Sequence, residues 1–193
     1  MSPRLPGKRS VRIWFSALLL LAVAVVVAAV VWPSHRAAHQ PELTASLPKT
    51  LVVEVTFYGW PDNDPPGAAI AYPVVHKLAG GTGTWDDPIT LASDARLIPI
   101  GSKIYLGYLH KYAVMEDQCV PCEADWSAKR PHIDIWLGGE GAPPKSVLAC
   151  EDRLTRSSYK VTVGATDPTY PVDTTPLFGP NGCITSVPDQ GGP

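Results

Sequence analysis

Six short runs rich in β-branched and aromatic residues, each bounded by glycine, proline or aspartate, constrain this 193-residue chain more than any other feature. They are Leu51 to Tyr58, Ile89 to Ala92, Lys103 to Leu106, Tyr112 to Glu116, His132 to Leu137 and Tyr159 to Val163. Amphipathic helical periodicity is almost absent, with short helical patches only at Tyr72 to Leu78 and Pro144 to Cys150. In "LIPIGSKIYL" a proline and a glycine make a turn just ahead of an apolar strand, as expected where a chain folds back into a barrel. The expected class is mainly β, a small closed barrel of six strands.

The run "HIDIW" carries the sharpest chemical signal. A strand has a two-residue period, so His132, Asp134 and Trp136 point one way while Ile133, Ile135 and Leu137 point the other. One face packs a core, and the opposite face presents an acid between an imidazole and an indole. The plainer alternative is that Asp134 caps a strand end or pairs with Lys129 or Arg130. By the same period Thr56 and Tyr58 share a face opposite Val55 and Phe57, where Tyr58 reads equally as a core residue or as a polar aromatic tip toward a sugar.

The N-terminal segment bears on compartment. Arg4, Lys8, Arg9 and Arg12 precede an uncharged, predominantly apolar run from Ile13 to Trp32, long enough at about 1.5 Å per residue to span roughly 30 Å of hydrocarbon. The expected organisation is a cytoplasmic basic tail (1–12), a transmembrane signal anchor (13–32) and a stalk (33–49). A barrel domain (50–166) and a proline-rich tail (167–193) follow, outside the membrane. A cleaved signal peptide, giving a secreted protein, is the competing reading.

Five of the 16 basic residues lie at or before Arg36 and no acidic residue does, leaving 11 basic against 18 acidic side chains in the remainder. That acidic balance argues against a nucleic-acid partner. Cys119, Cys122, Cys150 and Cys183 all fall in the exported part, where two disulfides in any of three connectivities are expected. The pair Cys119/Cys122 lacks a second CxxC, so no metal or other cofactor is expected. Cys183 implies that the irregular tail is stapled back onto the body. "GGTGTWDDPIT" lacks the Lys-Ser/Thr of a phosphate loop and reads as a barrel loop.

The stretch "ASDARLIPIGSKIYLGYLHKYAVMEDQC…HIDIWLGG" resembles the 3D (three-aspartate) domain of lytic transglycosylase-like cell-wall proteins, through "ASD", "IPIG", "YAVMED" and "IDIW". The opening "TFYG", with "CVPC" and "HIDIW", also resembles expansins. Both likenesses imply a six-stranded double-psi β-barrel with a groove for β-linked polysaccharide. They imply that Asp134 is the catalytic acid, that Asp117 matches the second aspartate and Asp94 the first, with Asp94 and His132 among the expected substrate-binding residues. The Gly-rich loop between the last two aspartates of the transglycosylases is replaced here by "CVPCEADWSAKRP". In an expansin-like protein the same barrel would loosen polymer without cleaving it.

Glycosidic cleavage needs a carboxylic acid held protonated near neutrality by burial or a neighbouring carboxylate. Asp134 suits that role, and a lytic transglycosylase needs no second acid because the substrate's 6-hydroxyl attacks the anomeric carbon. Inverting hydrolysis would need a second carboxylate, for which Asp117, Asp62 and Asp64 are candidates. Asp117 is otherwise a structural acceptor for backbone amides, as is Asp94 in its "SDxR" turn. Aromatic faces bind pyranose rings, so Trp60 and Trp126, in polar loops, are expected as sugar platforms, with Tyr58 and Trp136 beside Asp134. Trp85 reads as a buried tryptophan. His132 is expected to position Asp134 or titrate, while His76 and His110 read as ordinary loop or surface histidines. The expected partners are cell-wall polysaccharide and, through the N-terminal helix, the membrane.

Overall fold

The structure, a computed structural model, describes residues 49–184. Strands β1 (Lys49–Tyr58), β2 (Ile89–Ser93), β3 (Lys103–Leu106), β4 (Lys111–Gln118), β5 (His132–Trp136) and β6 (Arg156–Val163) close into a barrel in the order β1-β5-β2-β4-β3-β6. Each expected run is a strand, with its ends moved by a few residues. Closure pairs every edge of the sheet and so removes the exposed backbone donors of an open edge. β1 pairs with β5, and β2 with β4, in parallel, while the other pairs are antiparallel.

Alternation along the strands fills the barrel. Val53, Val55 and Phe57 of β1, Leu91 of β2, Ala113 and Met115 of β4, and Ile133 and Ile135 of β5 meet in one core, each at most 5% exposed. Burial of such side chains contributes roughly 1.5–3 kcal/mol each for the larger ones. The opposite faces of β1, β2 and β5 carry a second cluster, Tyr58, Ala92 and Trp136, joined by Cys119 and Cys122.

A bulge decides what β4 does at its end. Leu91 opposes Met115 but Ala92 opposes Asp117, so Glu116 is the extra residue. Without it, strict alternation would send Asp117 into the apolar interior after Ala113 and Met115. The bulge turns Asp117 onto the side of Tyr58 instead.

Among the described residues two α-helices accompany the barrel. α1 (Val120–Ser127) is not among the expected elements: it is short, and only Cys122 on it is buried, so no periodic apolar stripe marks it. Trp126 therefore stands on a helix and not in a loop. α2 (Pro144–Leu154) extends the expected patch by four residues and buries Val147, Cys150, Glu151 and Leu154 at helical spacing. Tyr72 to Leu78 is not helical. The amides there bond outward, Tyr72 to the Glu116 carbonyl and Val75 and His76 to Glu116 Oε2.

From Asp167 to Leu177 the chain has no strand or helix, as the prolines suggest, before a small hairpin of β7 (Phe178–Gly179) and β8 (Gly182–Cys183). Cys150–Cys183 ties that hairpin to α2, and Cys119–Cys122 closes the first turn of α1. Of the three connectivities open to the sequence, this is the one formed. Lys49, assigned to the stalk, is the first residue of β1. The basic tail, the transmembrane segment, the rest of the stalk and the last nine residues lie outside the described residues. Among the described residues no helix is long and apolar enough to cross a membrane.

Candidate functional site

β5 lies between β1 and β2, with Asp134 opposite Thr56 on one side and Ala92 on the other. This register brings the Thr56 hydroxyl to Asp134, where Oγ1 donates to Oδ1 at 2.8 Å. Burial pushes the Asp134 carboxyl up to about 6, against the Thr56 hydroxyl and His132, which favour the anion, while Asp62 adds to the rise. Asp134 is half-buried and not sealed in. His132 is held on both sides, with Nε2 2.8 Å from Thr56 Oγ1 and Nδ1 2.8 Å from Asp125 Oδ2. Neither Lys129 nor Arg130 pairs with Asp134; Arg130 pairs with Asp125.

The other two aspartates are engaged internally. Asp117 accepts from the Tyr58 hydroxyl at 2.8 Å and from the amides of Ala71 and Gln118 at 2.9 and 2.8 Å. Burial and this carboxylate hold the Tyr58 phenol well above its usual range. Asp94, 2% exposed, takes the Arg96 amide at 2.7 Å and the Arg96 guanidinium on both oxygens. The guanidinium holds its carboxyl below the usual carboxylate range. Both oxygens of each carboxylate are engaged, which suits the local acceptor roles weighed for Asp117 and Asp94.

The aromatic residues divide. Trp60, in a 3-10 turn after β1, and Trp136, on β5, line an open trough of about 1010 Å³ together with Leu78, Gly138 and Phe178. Tyr58 meets Trp136 edge-on with ring centroids 5.3 Å apart, bracing it from behind. Asp134 does not line the trough itself; it stands two residues from Trp136 on the same strand face. Trp126 lies apart from the trough, with Lys129 Nζ 5.3 Å above its ring. Trp85 is half-buried under Lys103 Nζ and against Tyr112.

Gly59 makes the approach between β1 and α2 possible. A Cβ there would stand 2.6 Å from Val147 Cγ1 and 2.8 Å from the Gly138 carbonyl. Its amide donates to Asp62 Oδ2 at 2.6 Å, and Glu151 Oε1 would lie 3.3 Å from the same Cβ position.

Several charged residues of the site had no sequence signal. Glu151, 8% exposed and with Oε1 unpartnered, is pushed up to about 8 by burial, then by Asp62, Asp134 and Asp152. Nothing in "CEDRL" distinguishes it from a solvated helix glutamate. Asp125 reaches His132 across seven residues, a separation that no strand or helix period marks. His76 is not an ordinary loop residue: it bridges Glu116 Oε1 at 2.5 Å and Asp87 Oδ1 at 3.0 Å. Glu54, Asp125 and His132 place carboxylate and imidazole atoms within 4.8 Å of one another. Both His132 nitrogens and Asp125 are already hydrogen-bonded, to Thr56, to each other and to Arg130.

The model of the family described as the DDB_G0273701 N-terminal domain matches residues 50–184 of the chain. An uncharacterized protein of Dictyostelium discoideum, DDB_G0273701/DDB_G0273221, is 38% identical over 152 residues, covering 77% of this chain. The match spans 66% of that protein's length, just under two thirds. No solved structure matches.

Proposed function

The chain belongs to the DDB_G0273701 N-terminal domain family, and from that premise we propose that its barrel is of the double-psi type and acts on an exported, β-1,4-linked wall polysaccharide such as peptidoglycan, with Asp134 as its single acid/base. The observation that carries this reading is the placement of Asp134. It is half-buried, pushed up to about 6, steadied by Thr56, and set on the same strand face as Trp136, whose ring walls the trough. The resemblance to three-aspartate and expansin barrels supplies the substrate class. The acidic balance of the exported part speaks against nucleic acid. The two disulfides support an oxidising, extracytoplasmic location, either tethered through residues 13–32 or secreted after signal cleavage.

In this mechanism the pyranose rings lie against Trp60 and Trp136. The Asp134 O–H bond breaks as its proton passes to the glycosidic oxygen, and the leaving chain departs as an alcohol. The substrate's 6-hydroxyl oxygen bonds to the anomeric carbon and returns its proton to Asp134, closing a 1,6-anhydro ring. No second carboxylate takes part. Asp117 and Asp94, held by Tyr58 and Arg96, act only by bracing the strand ends around β5.

A second reading, a non-catalytic expansin-like module that binds and loosens polymer, is favoured by the engagement of those two aspartates: the barrel then offers one acid beside an aromatic trough. Mass analysis after incubation with purified walls separates the two. Anhydro-ended fragments that vanish in Asp134→Asn support cleavage. Binding to insoluble polysaccharide with no fragments from the parent protein removes the catalytic reading and leaves the module.

A further inference from the structure

Four side chains from three elements form an unbroken line: Asp125 Oδ2 to His132 Nδ1, His132 Nε2 to Thr56 Oγ1, and Thr56 Oγ1 to Asp134 Oδ1, each 2.8 Å. Thr56 has one hydroxyl proton and two strong neighbours; the Ile133 carbonyl, at 3.4 Å, is too distant to compete. Two arrangements satisfy every contact. In the first, Asp134 is ionised, Thr56 donates to it, and a doubly protonated His132 donates to Thr56 and to Asp125. In the second, Asp134 carries the proton and donates to Thr56, Thr56 donates to neutral His132 Nε2, and Nδ1–H stays on Asp125. Both hold the same number of protons. They interconvert when the Nε2–H bond breaks and an Oγ1–H bond forms, while the original Thr56 proton moves to Asp134 Oδ1.

We propose that Thr56 relays a proton between His132 and Asp134, so that the acid of β5 is loaded from the α1 side through His132 and Asp125. The inference rests on the acid role of Asp134 given above. In the transglycosylation cycle the 6-hydroxyl restores Asp134 after each turnover; the relay sets its protonation in the resting protein, before polysaccharide covers it.

The surrounding charges serve both ends. At His132, Glu54 from β1 and Asp125 from α1 stand with their oxygens close to the ring, with Arg130 on Asp125. At Asp134, burial and the charge of Asp62 favour the neutral carboxyl. The line thus joins an imidazole flanked by carboxylates to a carboxyl whose ionisation burial opposes, with a hydroxyl between.

Thr56 is a positioning residue in this scheme, and its test does not depend on turnover. Isotope-labelled histidine rings and aspartate carboxyls of the full chain are followed by NMR from roughly pH 4 to 9, a range that brackets both groups. His132 in the parent is expected to show a step at the pH where the Asp134 carboxyl titrates. Asp134→Asn and Thr56→Val should each remove that step, while Thr56→Ser, which keeps the hydroxyl, retains it. A His132 titration in Thr56→Val superimposable on the parent's overturns the relay, the Thr56→Ser spectrum serving as the folded reference. With active protein, Thr56→Val should shift the pH at which kcat/KM falls, since that parameter reports the acid of the free protein, while Thr56→Ser should leave it in place. Coupled steps in a protein that releases no fragments overturn the proposed function and leave the proton exchange standing. Fragment release without coupling overturns the relay alone.

Discussion

Tyr58 donates its phenolic proton to Asp117 Oδ2 at 2.8 Å, and Asp117 Oδ1 takes the amides of Ala71 and Gln118. This carboxylate, 7% exposed, is a clamp joining β1, β4 and the loop after Gly67. Asp117→Ala would strand the buried Tyr58 phenol, at about 1–3 kcal/mol, and free the amides of two exposed residues, Ala71 and Gln118, to water. Denaturant unfolding should show a loss of about 2–3 kcal/mol, whereas Tyr58→Phe, which leaves both amide bonds, should lose about 1–2 kcal/mol. A small effect of Asp117→Ala on stability, with abolished glycan release, would return Asp117 to the catalytic group.

Activity and stability should both respond to the raised carboxyls. If Asp134 is the acid, glycan release falls as pH rises through about 6, because the protonated form is the donor. Groups whose folded pKa is raised contribute stability below their unfolded values that is lost as pH rises through the folded ones, here about 6 for Asp134 and about 8 for Glu151. Glu151→Gln should flatten the stability profile between roughly pH 5 and 8 by up to about 1.4 kcal/mol per pH unit, as read from melting temperatures across that range.

The pair His76 and Glu116 should behave oppositely at its two ends. Hydrogen bonds from His76 and from the amides of the 75–76 segment hold the Glu116 carboxyl low against its burial, and the Glu116 and Asp87 bonds raise the His76 ring against its own. Glu116 therefore contributes stability above its unfolded pKa that is lost as pH falls, and His76 contributes below its unfolded value and loses it as pH rises. The joint contribution peaks between roughly pH 4.5 and 6.5. His76→Ala should speed hydrogen exchange at the amides of Val75 and His76 most strongly in that window; unchanged exchange would show that the loop is held by other contacts.

Removing the Cys150–Cys183 bridge by the double substitution Cys150→Ser/Cys183→Ser should cost about 3–4 kcal/mol, the loop-closure term for a sequence separation of 33. Because Phe178 and Cys183 wall the trough, the same variant should also weaken retention on insoluble polysaccharide. Thermal unfolding and a sedimentation pull-down read the two effects separately.

Trp60→Ala should weaken polysaccharide binding about tenfold, corresponding to about 1.4 kcal/mol, through loss of apolar face area. Trp126→Ala, on α1 and away from the trough, should leave binding within about twofold. Equal losses for the two would disqualify the trough as the glycan site.

The strands and the two faces of β5 were readable because a two-residue period is local: Ile133 and Ile135 face inward wherever the strand is placed. α2 was readable from its short helical pattern, and the stapled tail from the lone late cysteine. α1 was not, since its eight residues bury only Cys122 and carry no periodic stripe. The helix expected at Tyr72 to Leu78 was lost to Glu116, whose buried carboxylate captures the amides that a helix would have turned inward.

From the sequence alone came the barrel's strands, the acid between an imidazole and an indole, and the irregular tail, all features that repeat within a few residues of one another. Tertiary structure alone decided what each aspartate bonds to. A one-residue bulge at Glu116 delivers Asp117 to Tyr58, Arg96 folds back on Asp94, and strand order sets Thr56 beside Asp134. Hydrogen-bond partners are chosen by register across the sheet, and register depends on closure of the whole barrel, which no local period encodes.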